Sequence, residues 1–198
     1  MTLPSARNLP AKPPIAVLAP GLRLVRVYGA GRRWNAGRAW GPHPEGCFDH
    51  QTPPPGSAAG RTVWYASRSV LGAVAESLGR RGFLDPAAGD RIVVARVDAP
   101  IRLVDLVGVA ARRFGLTQEI ASTTDYVRTQ EWARALYAAY PDLVGIRWRG
   151  RQAGSMSVVL TDRLPARSLT LEFDADVSDP RVWPRVARAA QRCRVRIV

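Results

Sequence analysis

The chain has only two cysteines, two histidines and two methionines, and among its 29 basic residues Lys12 is the sole lysine. Cys47 and Cys193 lie far apart, which leaves neither a disulfide framework nor a paired C-x-x-C site and fits a reducing cytoplasm. No apolar run is long enough to span a bilayer. The prolines of MTLPSARNLPAKPPIAVLAPG break the one apolar stretch near the start before it reaches the length of a signal-peptide core. A soluble cytoplasmic protein with no membrane partner is expected. The familiar catalytic signatures are missing too: there is no G-x-S-x-G elbow, no Walker loop and no H-E-x-x-H. GAGRRWNAG does not follow the strand, G-x-G-x-x-G and helix order of a dinucleotide fold, which argues against redox use of such a cofactor.

What is present is arginine. The formal charge of +13 would ordinarily raise nucleic acid as a partner. An excess of arginine, alanine, glycine and proline is what a GC-rich genome imposes on any protein, however, and the basic residues are dispersed with no run of five or more. Direct nucleic-acid binding is therefore not the leading expectation. At 198 residues and 46% hydrophobic, the chain can bury one core and is short for two.

Residues 1 to 20 are proline-rich and read as an extended arm that need not fold, leaving one domain over 21–198. LRLVRVY (22–28) alternates as a half-buried strand, carrying Arg26 toward the side of Leu22 and Leu24, where a charge needs a partner. From Gly29 to Gly60 the chain is loop, with Pro53, Pro54 and Pro55 excluding helix. A loop this long is often a binding loop, and Trp34, Trp40 and Phe48 argue against simple disorder. TVWYA (62–66) reads as a strand, and Ser69 caps a helix running to about Arg81, with Gly82 as its stop. RIVVARV (91–97) and IRLVDL (101–106) read as strands. A helix is expected around 128–140, where Trp132, Leu136 and Tyr140 recur every four residues. LVGIRW, MSVVLT and SLTLEF give three further strands, and a last helix near 179–192 precedes VRIV. Strands outnumber helices without alternating strictly with them, which indicates an α+β architecture.

His43, Cys47, Asp49 and His50 include acceptable zinc ligands, but structural zinc sites draw two pairs from separate turns and no second pair is present. A polar loop is the plainer reading, and no metal is expected. Glu76 lies nearly opposite the apolar face of its helix, where the plain reading is a solvated carboxylate paired with Arg80 at i+4, worth roughly 0.3 kcal/mol. Tyr65 sits in a strand, where core packing is the default for an aromatic.

RVYGAGRRWNAG (26–37), GCFDH (46–50), VWYAS (63–67) with AVAESL (73–78), DYVRTQEWA (125–133) and VGIRW (144–148), in this order, resemble a RES domain over roughly residues 22 to 165. The resemblance implies an ADP-ribosyltransferase-like split β-sheet with a few flanking helices. It also implies a toxin that breaks NAD+ by hydrolysis or phosphorolysis and is restrained by a helix-turn-helix antitoxin. NAD+ would be a substrate, with no cofactor, and nucleic acid would be met only through the antitoxin; an oligomer is compatible with the sequence. By the same resemblance Glu76, Arg26 and Tyr65 are the catalytic set, and Arg26, Tyr65, Arg33 and Thr129 contact NAD+. The chemistry suits these residue types. Cleaving the nicotinamide–ribose bond develops oxocarbenium character, which a carboxylate at the ribose hydroxyl stabilises. A guanidinium forks onto phosphate or ribose oxygens, and an aromatic ring stacks on nicotinamide.

Two positions depart from the family pattern. Cys47 stands where many relatives have a second arginine, in a G-R-F or G-R-W motif, with Arg33 as the substitute offered by GRRWN. The family serine is unmatched near DYVRTQEWA, where Ser122, Thr123, Thr124 and Thr129 are the hydroxyls available; Gly150 stands where some relatives have another serine. Two alternatives follow, transfer of ADP-ribose to a macromolecule and a degenerate RES domain that acts as a binding module.

Overall fold

The computed structural model describes residues 9–39, 46–52, 60–79, 81–116, 123, 125–150 and 153–198. Trp40, His43, the prolines at 53 to 55, Arg80, Ser122 and Thr124 lie outside the described residues.

The fold is α+β, with a mixed sheet and four helices among the described residues. The strands are β1 (Ile15–Leu18), β2 (Arg23–Tyr28), β3 (Arg38–Ala39), β4 (Thr62–Ser67), β5 (Phe83–Leu84), β6 (Arg91–Val97), β7 (Ile101–Asp105), β8 (Gly145–Arg149), β9 (Met156–Thr161), β10 (Leu169–Asp176) and β11 (Arg196–Ile197). The helices are α1 (Val70–Leu78), α2 (Val109–Arg112), α3 (Tyr126–Ala139) and α4 (Trp183–Arg192). The main sheet runs β1-β7-β8-β9-β4-β2-β6-β10, with β3 on β4. Its pairs are antiparallel apart from β7 with β8.

The sheet is nearly divided at its middle. β2 pairs β4 at one position, Val25 opposite Ser67, and then leaves it. β3 takes up the same neighbour only at Val63 and Thr62. Trp64, Tyr65 and Ala66 thus meet β9 on one side while the described chain opens on the other. The core follows this division. Leu24, Trp64, Leu103 and Leu160 form one cluster; Phe48, Trp132, Leu136 and Trp148 pack a second against α3; and Val25, Val27, Val74 and Leu84 pack a third between α1 and α4.

The expected strands and helices form, with shifted ends. The helix placed at 179–192 begins at Trp183, and α3 starts at Tyr126 because the Asp125 side chain accepts from Arg128 N and caps it. The extended arm of residues 1–20 needs correcting in its second half. Ile15–Leu18 pair with β7 from Val104 to Ile101, burying Ala16 and Leu18, because the prolines before and after this stretch leave four residues free to join a ladder. The 29–60 loop is likewise interrupted by β3.

Candidate active site

Helix α1 is anchored hard against the centre of the sheet. Ser69 caps it by accepting from Gly72 N at 3.1 Å. Ser155, just before β9, bridges the hydroxyls of Ser67 at 3.0 Å and Ser69 at 2.8 Å. A Cβ at Gly72 would run into Ser67 Oγ and Ser155, so only glycine lets the helix approach this closely. Glu76 therefore sits about two turns past the cap, half-buried, and Ser157 Oγ donates to its Oε1 at 3.2 Å. The carboxylate faces β9, not bulk solvent; Arg80, its expected i+4 partner, lies outside the described residues.

Where the sheet divides, a cavity of about 560 Å3 opens, lined by Arg26, Arg32, Cys47, Tyr65, Glu76 and Arg81 among others. The volume is typical of a small-molecule site. Arg26 is only 8% exposed. Its guanidinium donates to Ala36 O at 3.1 Å and lies 5.4 Å from the Trp64 ring centroid and 5.8 Å from that of Tyr28. The charge on the apolar side of β2 thus has the partner it requires. Arg81 is paired with the buried Asp90.

Tyr65 has a second duty. Its hydroxyl accepts from Phe48 N and donates to Asp49 Oδ1, both at 2.9 Å, while Asp49 Oδ2 accepts from Gly46 N at 3.1 Å. Gln130 of α3 donates to Gly46 O at 2.9 Å. The 46–50 turn is pinned to the tyrosine, and a Cβ at Gly46 would strike Tyr65 and Asp49. This turn presents Cys47 to the cavity. Burial pushes the Cys47 thiol well above its usual value, and the nearby carboxylates of Glu76 and Asp49 push it further the same way. Cys47 is therefore a neutral thiol near neutral pH, neither a cation nor an activated nucleophile.

Arg26 on β2, Tyr65 on β4 and Glu76 on α1 line one cavity. Arg33 and Thr129 do not. Gly31 turns the chain at φ +74, and it is Arg32 that lines the cavity, while Arg33 is exposed. Thr129 is fully buried on the core side of α3, and its hydroxyl is spent on Tyr126 O at 3.1 Å. Ser157 is the serine at the carboxylate. It was not singled out in the sequence because MSVVLT reads only as a strand, and period two alone does not say which face meets a helix. Of the zinc-like cluster, Asp49 is engaged by Tyr65, and His50 faces Asp162 at 3.1 Å. Among the described residues no three His, Cys, Asp or Glu side chains converge as metal ligands, and no helix is long and apolar enough to cross a membrane.

One solved structure with a similar fold is the crystal structure of the M. tuberculosis MbcT-MbcA toxin-antitoxin complex. It matches with a TM-score of 0.62 and 18% identity, over 83% of this chain and 88% of that one. No curated protein matches the sequence. The profile of the RES domain family matches residues 4–182, from before β1 to the start of α4, and the chain belongs to that family.

Proposed function

We propose that this chain is the toxin of a toxin–antitoxin pair and that it cleaves the nicotinamide–ribose bond of NAD+. The observation that carries the reading is a half-buried glutamate, oriented by Ser157, in the same cavity as Arg26 and Tyr65 at the division of the sheet. Membership of the RES family and the fold shared with a toxin-antitoxin complex support it.

In this reading the C1′–N bond breaks with its electron pair leaving on nicotinamide, which departs neutral and needs no general acid. Glu76 accepts a hydrogen bond from the ribose hydroxyl, and that bond strengthens as C1′ becomes cationic. Arg26 and Arg32 supply cations for the diphosphate, since Arg81 is engaged by Asp90. The Tyr65 hydroxyl is committed to the 46–50 turn, so its contribution is the ring, an apolar wall for the base. Water or phosphate then adds to C1′ through an oxygen, and the proton carried by an attacking water passes to solvent. The restraining partner is an antitoxin with a helix-turn-helix domain.

The test is nicotinamide release from NAD+ by the purified protein, with and without phosphate, beside Glu76→Gln. Loss of release by two or more orders of magnitude in the variant supports the assignment, and the phosphate effect identifies the acceptor. Equal rates in both proteins would sink it. A second reading, a RES domain that binds without turnover, is favoured by the neutral Cys47 in the position of a family arginine; folded protein that retains NAD+ without releasing nicotinamide would establish it.

A further inference from the structure

The C-terminal helix carries charge that the candidate active site does not use. Arg185, Arg188 and Arg192 on α4 are all exposed. At 100° per residue they fall within roughly 60° of arc, centred about 120° round the helix from Val186, Ala189 and Ala190, which are buried against the core. Arg194 and Arg196 extend the patch into β11 and are exposed as well.

These five arginines have no ion pair among the described residues, and no aspartate or glutamate occurs after Asp179. Asp179 itself is taken: Arg181 forks onto it at 2.9 and 2.7 Å, which holds its carboxyl down at about 2. Helix stability does not explain the arrangement either. Arg192 and Arg194 suit the negative C-terminal end of the helix dipole, but Arg185 lies in the first turn, where an acidic residue is preferred and none is present. Mutual repulsion without compensation is a cost that an anionic partner would remove.

We propose that this face of α4 docks on the sugar–phosphate backbone of duplex nucleic acid, independently of the NAD+ reading. From Arg185 to Arg192 the helix rises about 10.5 Å, roughly the axial rise of three phosphates along one strand. Guanidinium is the group that forks onto phosphate. Protein interfaces also recruit arginine, but around an apolar centre; from Pro184 to Arg192 the only fully exposed residues besides the three arginines are Pro184 and Gln191. A membrane surface would need an apolar anchor on this helix; the apolar side of α4 is buried in the fold, and the exposed Ile197 and Val198 lie beyond the helix, at β11 and after it.

The test is fluorescence anisotropy of a 20-base-pair duplex of arbitrary sequence titrated with the full chain over a sodium chloride series. The triple variant Arg185→Gln, Arg188→Gln, Arg192→Gln is compared with Arg112→Gln, Arg113→Gln, which removes exposed charge from α2. Circular dichroism verifies the fold of both. Binding by the parent chain is expected, with the log K against log salt slope reduced by about 2 to 3 in the triple variant and by less than half of that in the α2 pair. No binding by the parent chain at low salt, an unchanged slope in the triple variant, an equal reduction in the α2 pair, or equally tight binding to polyglutamate of matched charge would each overturn the proposal. Nicotinamide release is measured on the same samples, and its presence or absence leaves this outcome untouched.

Discussion

Ser157 on β9 donates its hydroxyl to the carboxylate of Glu76 on α1 at 3.2 Å, tying a strand in the middle of the sheet to the helix that follows its neighbour β4 and lies four strands earlier in the chain. A carboxylate on a helix can rotate through several positions; one held by a buried hydroxyl cannot do so freely. Ser157 is 1% exposed, so the bond competes little with water.

Replacing Ser157 with alanine is expected to lower kcat/KM for nicotinamide release by about 10- to 100-fold, the worth of a hydrogen bond to a charged group. Thermal melting should show a loss of only about 1 kcal/mol. Unchanged kcat/KM would mean that the serine does not position Glu76 during the reaction.

Tyr65→Phe and Asp49→Asn separate the tyrosine ring from its hydroxyl. Tyr65→Phe withdraws the acceptor of Phe48 N and the donor to buried Asp49, a change expected to cost about 1–3 kcal/mol in denaturant unfolding. Asp49→Asn keeps the shape and an acceptor for Tyr65 but sets an amide N–H against Gly46 N, and should cost a similar amount while leaving the tyrosine hydroxyl in place. A Tyr65→Phe protein as stable as the parent but without turnover would show that the hydroxyl serves substrate instead of the turn.

Cys47→Arg restores the residue type that many RES relatives carry in this motif. A guanidinium beside Glu76 and Asp49 and facing the cavity should raise kcat/KM for NAD+ by roughly 10-fold, the effect of one charge-assisted contact to phosphate. No increase in a folded variant would indicate that the thiol is not what limits this chain.

His50 is 2% exposed and its imidazole is held below the usual value, chiefly by burial and by the nearby Arg61, against the opposing pull of Asp162 and Asp49. Because the folded value lies below the unfolded 6.5, the unfolded chain takes up a proton first, and stability falls as the pH drops below about 6.5. Asp162 shifts downward because the hydrogen bonds from Tyr137 and His50 outweigh its burial; its contribution is lost only below its unfolded 3.8, outside this window. Chemical denaturation from pH 7 to 5 should therefore show a decline that is flattened in His50→Gln. An identical pH slope in the variant would assign the decline to other groups.

Much of this protein was legible as one-dimensional pattern. Alternation in LRLVRVY and TVWYA marks β2 and β4, and Ser69 before an apolar helix marks the start of α1, because strand period, helix period and cap chemistry are local properties. The ordered motifs around Arg26, Tyr65 and Glu76 carry the family resemblance for the same reason. What the pattern could not decide is which distant residues meet. That β2 leaves β4 after a single pair at Val25 and Ser67, that Ser157 and not Thr129 presents its hydroxyl to Glu76, and that Arg32 and not Arg33 lines the cavity are outcomes of packing. The arginines of α4 look dispersed in the sequence because a helical face spaces them three and four apart, and only the burial of the apolar side reveals them as one surface. Local chemistry specifies the elements, whereas long-range burial decides which side chains share a site.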